Sequence, residues 1–169
     1  MKKTNIISKI LYAVTRVLAW LYFFTAIYGF ICSVTKTNIK SVAGQTIIEY
    51  PFTDVPFLIL DNSIPYLVFS FLLPTLAYAL FFWLLSNVFQ VFYQQKLFTV
   101  ANIAHLKRFY AINLFLPILL VIISSFFTEI EREIYMIIAL HMFLGIFIFI
   151  ISEIFQQGLD LQNEQDLYI

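Results

Sequence analysis

The run Ile134-Tyr-Met-Ile-Ile-Ala-Leu-His141-Met-Phe-Leu-Gly145-Ile-Phe-Ile-Phe-Ile-Ile-Ser-Glu153-Ile-Phe155 decides the fold. Its one formally charged side chain, Glu153, lies near its end. A helix needs about 20 mainly apolar residues to cross the hydrocarbon layer of a bilayer. A β-barrel strand would be about ten residues of strict alternation, and neither Phe143–Ile151 nor Leu67–Leu73 alternates. The run therefore predicts a membrane-crossing helix. Ile10–Val34, Ile64–Phe92 and Phe109–Phe127 read the same way. The expected architecture is an all-α membrane protein with a single membrane domain. It is a four-transmembrane-helix bundle with spans near 10–34, 64–92, 109–127 and 134–155.

Composition points the same way. Of 169 residues, 62% are hydrophobic and 12% charged, whereas a soluble domain carries roughly 25% charged residues. A soluble domain of this length buries about 70% of its surface and needs polar residues to cover the rest. A disordered chain needs low hydrophobicity and high net charge, and here the net charge is zero. The single cysteine, Cys32, excludes an intrachain disulfide and a multi-cysteine metal site. Ile31 before it is too large for a lipoprotein site. Met1–Lys9 has the basic start of a signal peptide. The apolar stretch that follows is too long and lacks a small-residue exit, so it reads as an anchor.

Basic residues set the expected sidedness. Lys2, Lys3, Lys9 and Arg16 open the chain with no acid among them. The link 93–108 carries Lys96, Lys107 and Arg108, again with no acid. The loop 35–63 sets two lysines against Glu49, Asp54 and Asp61, and Glu129-Ile-Glu-Arg-Glu133 is net negative. Both termini and the link 93–108 are therefore expected in the cytoplasm, with 35–63 outside. The tail 156–169 has no Lys or Arg and follows from the helix count. In the outer loop, Gln45–Tyr50 and Val55–Leu60 are β-prone and predict a short hairpin or a partly embedded cap.

Few side chains offer chemistry. Arg16 and Glu153 stand inside spans, where charges are rare and usually paired or functional. Either Arg16 snorkels to the interface and Glu153 faces water, or the two pair across the first and fourth spans. His141 lies in the fourth span, as a packing residue or as part of a cavity with Arg16 and Glu153. In the link, Thr99 stands as a helix N-cap with Asn102 three residues on. Asn102, His105 and Arg108 share one face and Val100, Ile103 and Leu106 another. The segment is either an interfacial extension of the third span or a docking face that includes Lys107. Pro74 and Pro117 could kink the second and third spans.

Hydrolase, kinase and metal signatures are missing: no G-x-S-x-G, H-E-x-x-H, Walker loop or C-x-x-C occurs. The sequence gives no catalytic set, cofactor site or metal site. The basic patches are too small for direct nucleic-acid binding.

The ending Ile154-Phe-Gln-Gln-Gly158-Leu-Asp-Leu161-Gln-Asn-Glu164-Gln-Asp166-Leu-Tyr-Ile169 resembles that of the bacterial four-span family catalogued as domain of unknown function 2975. Those proteins tend to end with a helix, a glycine and a Leu-x-x-Glu-x-Asp-Leu-Thr-like run, and Tyr168 stands here in place of the threonine. Lys96-Leu-Phe-Thr99-Val-Ala-Asn102-Ile-Ala-His-Leu106-Lys-Arg108 is similar to a second family feature. The resemblance implies four helices, cytoplasmic termini in a bacterial inner membrane, and the company of a small helix-turn-helix regulator. It brings no activity and no catalytic residues. Gly158 is expected to end the fourth helix as a C-cap. The leucines beyond it then form either a frayed terminus under the bundle or a recognition peptide. The leading expectation is a regulatory membrane partner of a helix-turn-helix regulator, docked on Asn102, His105, Lys107, Arg108, Gly158, Leu161, Glu164 and Asp166. The alternative is a small transporter or a lipid- or small-molecule-binding protein. A second copy of the chain could also pack on the aromatic-rich faces.

Overall fold

The computed structural model describes residues 2–42 and 44–166, with the side chains of 2, 3 and 166 left out. In chain order it holds α1 (Lys2–Thr35), β1 (Ile39–Val42), β2 (Gln45–Glu49) and β3 (Pro56–Asp61). A π-helical turn (Tyr66–Leu72) then runs into α2 (Leu73–Val91), followed by α3 (Val100–Ser124) and α4 (Arg132–Asp166). Four helices, Thr4–Thr35, Tyr66–Val91, Val100–Ser124 and Arg132–Gln165, are long and apolar enough to cross a membrane. This is the make-up of a multi-pass membrane protein.

The helices pack in sequence order, α1 on α2, α2 on α3 and α3 on α4, while α1 makes no extended contact with α3 or α4. The α1–α2 seam uses small residues, which let backbones approach where no water drives helices together. Ala19, Ala26 and Cys32 of α1 and Ala79 and Ser86 of α2 are all buried. Aromatic pairs flank the seam, among them Trp20 with Trp83 and Tyr22 with Tyr78 and Phe82. At Gly29 a Cβ would stand 2.5 Å from the Phe71 ring, so the glycine is the slot that Phe71 of the π-helical turn fills.

The second seam joins three helices. Leu84, Val88 and Val91 of α2, Ile103, Leu106 and Phe109 of α3, and Ile148 and Phe155 of α4 form one buried cluster. It lies at the end of the bundle opposite the β-strands. There α3 starts as the sequence predicts, with extended Thr99 accepting a hydrogen bond from the Asn102 amide at 3.2 Å.

Two expectations are corrected. The fourth helix does not stop at Gly158 but continues to Asp166. Phe155 is buried and Leu159 packs on the same cluster, so the apolar face outlasts the glycine. A Cβ on Gly158 would stand 2.7 Å from the Phe98 ring, and the glycine therefore serves close packing and not a helix end. In the long loop, one hairpin becomes a three-stranded antiparallel sheet of order β1-β2-β3. Ile39-Lys-Ser-Val42 supplies the extra strand, pairing Ile39 with Ile48 and Val42 with Gln45.

The sheet sits on the end of α1. Ile48 is fully buried, and the Tyr28 hydroxyl donates to the Glu49 carbonyl. Lys40 of β1 holds Glu49 at 2.6 Å and Asp54 at 2.8 Å. The lysine holds the Asp54 carboxyl below its ordinary value. Asp54, and then Glu49, push Lys40 up to about 12. Asp54's share of sheet stability is present above its ordinary 3.8 and lost as pH falls through its lower folded value. Lys40's share is complete below 10.5 and lost as pH rises through about 12. In Lys40→Gln the Asp54 carboxyl is expected to titrate at its ordinary value, read by carbon-13 NMR of the carboxyl. An unshifted wild-type titration would contradict the contact.

Candidate ligand cavity

On the sheet side of the buried cluster, with Leu84 and Phe109 of that cluster among its lining residues, α2, α3 and α4 part around a cavity of about 320 Å³. Its walls are Ala77, Tyr78 and Phe81 of α2, Leu116 and Leu120 of α3, and Ile138 of α4. Pockets for small ligands span about 300–1,000 Å³, and an engineered cavity near 150 Å³ takes benzene. This one has room for a small apolar molecule or part of a chain.

The helices are irregular where they line it. The π-helical turn contributes Tyr66, Phe69 and Ser70, and such turns recur at functional sites. Pro74 and Pro117 line the cavity as well. A proline has no N–H to give the carbonyl four residues back. In an α-helix those carbonyls would be Ser70 and Asn113, and both residues face the cavity. At the sheet end Phe69 stacks on Phe127 at 4.3 Å, and exposed Glu129 and Glu131 stand at the rim.

Asn113 and His141 are the polar pair of the cavity wall. Asn113 is 5% exposed. Its Nδ2 donates to the His141 carbonyl at 2.7 Å, and its Oδ1 lies 2.7 Å from His141 Nδ1. A carbonyl can only accept, which fixes the amide's orientation. Oδ1 then faces the ring, and His141 Nδ1 must carry a proton. Nε2 is left free on a ring that lines the cavity; in the neutral ring it is an acceptor. Phe81 holds the imidazole edge-on at 4.9 Å, with Tyr78 at 6.1 Å.

The residues singled out from sequence are not brought together. Of Arg16, Glu153 and His141, only His141 lines the cavity. Glu153 is exposed on α4. Arg16 lies on α1 against α2, and α1 and α4 are not neighbours, so the two make no ion pair. Among the described residues no group of three or more His, Cys, Asp and Glu side chains could hold a metal. Lys107 and Arg108 are exposed and His105 is half-buried. Asn102 turns inward instead: it is 6% exposed, and its Nδ2 donates to the carbonyls of Lys96 and Leu97. Leu161 and Glu164 are exposed on the last turns of α4, while the Asp166 side chain and Leu167 lie outside the described residues.

Sequence reading passed over Asn113, Tyr78 and Phe81. Asn113 had a signal: an amide in mid-span, four residues before a proline, that must find a partner in a neighbouring helix. The aromatic residues had none, because rings fill every span. No family model, curated protein or solved structure matches this chain.

Hydrogen bonds between helices in a membrane average about 0.6 kcal/mol and reach about 1.7. Asn113→Leu removes two of them and is expected to lower unfolding free energy by about 1–2 kcal/mol. Detergent-titrated unfolding followed by circular dichroism checks this. Nitrogen-15 NMR should also show the proton of His141 no longer confined to Nδ1. Unchanged stability and tautomer would refute the pairing.

Proposed function

We propose that the chain is a membrane-embedded binding protein for a small apolar or amphipathic molecule, held between α2, α3 and α4. One observation carries this: the cavity combines largely apolar walls with an oriented polar pair, Asn113 and His141. Apolar walls with few fixed polar groups are the usual make-up of a ligand site. Binding is favoured over passage, because Leu84 and Phe109 at the cavity, with Leu106 and Phe155 beyond them, close the helices tightly.

The proposed setting is a bacterial inner membrane with both termini in the cytoplasm. Edge-on packing of Tyr12 against Tyr93 brings the start of α1 to the end of α2. The basic residues of 1–16 and of the link 93–108 therefore share one end, as the excess of Lys and Arg on cytoplasmic loops would have it. The cavity would then open toward the outer side. Filling it is the direct test. Protein extracted in mild detergent is expected to release a bound small molecule into organic solvent, identified by mass spectrometry. Ala77→Trp should lose most of it while keeping its helical circular dichroism. Equal recovery from both proteins, or none from the wild type, would overturn the reading.

A regulatory role is the second reading, favoured by α4. This one helix runs from His141 at the cavity to exposed Leu161 beyond the buried cluster. A ligand that binds two arrangements of the bundle unequally would shift their populations, and α4 would carry the change outward. Leu161 and Glu164, with His105, Lys107 and Arg108, would dock a small helix-turn-helix regulator. The likeness of the C-terminus to the family catalogued as domain of unknown function 2975 supports that partner. A small DNA-binding protein is expected to co-purify in stoichiometric amount and to be lost with Leu161→Asp. Its retention by that variant would remove the tail from the reading.

A further inference from the structure

Arg16 is handled unlike any other charge among the described residues. Its guanidinium lies 3.7 Å from the centre of the Trp83 ring and 5.3 Å from that of Tyr12. Nη2 donates to the Tyr12 hydroxyl at 3.3 Å and makes a long 3.5 Å contact with Asn87 Oδ1. Nη1 is buried with no hydrogen-bond partner. Among the described residues no carboxylate reaches it. A side chain that merely snorkelled would put its head in water. This one stays half-buried among aromatic rings with one donor, Nη1, unmet.

A second cation stands above it. Lys9, two helical turns earlier on α1, is exposed and lies 5.9 Å from the centre of the Tyr93 ring. Tyr93 meets Tyr12 edge-on at 5.7 Å. Two cations thus bracket a pair of tyrosines across the α1–α2 seam. The Tyr12 oxygen accepts from Arg16, which leaves its own proton to donate elsewhere. The level within the bundle is informative too. Tyr12 lies one turn to one side of Arg16, and Trp20 one turn to the other, against Trp83. Tyrosine and tryptophan gather at membrane interfaces, where headgroups lie. Exposed Val17, Leu21 and Phe24 continue from this level along α1, an apolar track for acyl chains.

We propose that Lys9, Tyr12 and Arg16, with Tyr93, form a binding site for the headgroup of an anionic phospholipid. Basic pockets between helices bind such headgroups. The site is separate from the cavity, sharing with it only α2, and does not depend on what the cavity holds.

The test uses the full chain in mixed micelles holding equal amounts of a phosphatidylglycerol and a phosphatidylcholine. Native mass spectrometry reads the ratio of the two lipid adducts. The wild type is expected to favour phosphatidylglycerol. A hydrogen bond from a charged side chain to the headgroup is worth enough for Lys9→Gln and Arg16→Gln each to lower the ratio about ten-fold. Lys96→Gln, which removes an equal charge from the nearby link, should leave it unchanged, and added inorganic phosphate should not compete. Equal adducts in the wild type, a ratio unmoved by Lys9→Gln, or an equal fall in Lys96→Gln would overturn the proposal. Competition by inorganic phosphate would overturn it as well, by making the ligand a free anion. Lys9 is exposed and packs on little, so Lys9→Gln decides the matter if Arg16→Gln does not fold.

Discussion

Val91, Leu106 and Phe109 have no exposed surface at all. They meet where α2, α3 and α4 come together, and the rest of the molecule is arranged from that contact. Because the three helices are closed there, they can part at the other end without coming apart. The π-helical turn, Pro74 and Pro117 all fall in the parted half, where helix regularity matters least to the seam. Tight packing and irregular backbone are thus divided along the length of the same helices.

Two polar groups inside apolar helices are satisfied in opposite ways. Asn113 and His141 answer each other, amide to carbonyl and ring to amide, so that α3 and α4 are held at one register. A reciprocal pair of this kind leaves little unsatisfied, which is how buried polar groups become tolerable. Arg16 has no such reciprocal partner. Rings surround it, and the aromatic faces attract its charge without supplying an acceptor for Nη1. The first arrangement leaves only His141 Nε2 open, at the cavity. The second leaves a donor unmet.

The spans were readable in the sequence because length and hydropathy alone mark them, and Thr99 was readable because a capping side chain acts on its own next turn. What escaped depends on neighbours distant in sequence. Asn102 looked like a surface residue of an amphipathic turn, yet it satisfies the carbonyls of Lys96 and Leu97. Gly158 looked like a helix end because glycine serves equally well for a left-handed turn and for close approach, and only the position of Phe98 separates the two. Strand β1 is four residues long and shows its role only beside β2. Arg16 and Glu153 invited pairing by opposite charge, but the sequential packing of the helices keeps α1 and α4 apart.

That sequential packing also bears on how the chain is made. Residues 2–91 contain α1, its sheet and α2, and α1 and α2 pack on one another without any part of α3 or α4. The short link after Ser124 then returns α4 against α3 as a second hairpin. Each half can form as it leaves the ribosome, in the order of synthesis. The cavity belongs to neither half: α2 gives one wall, and α3 and α4 the others. It comes into being only when the late hairpin docks on the early one, so the cavity is a mark of the assembled bundle.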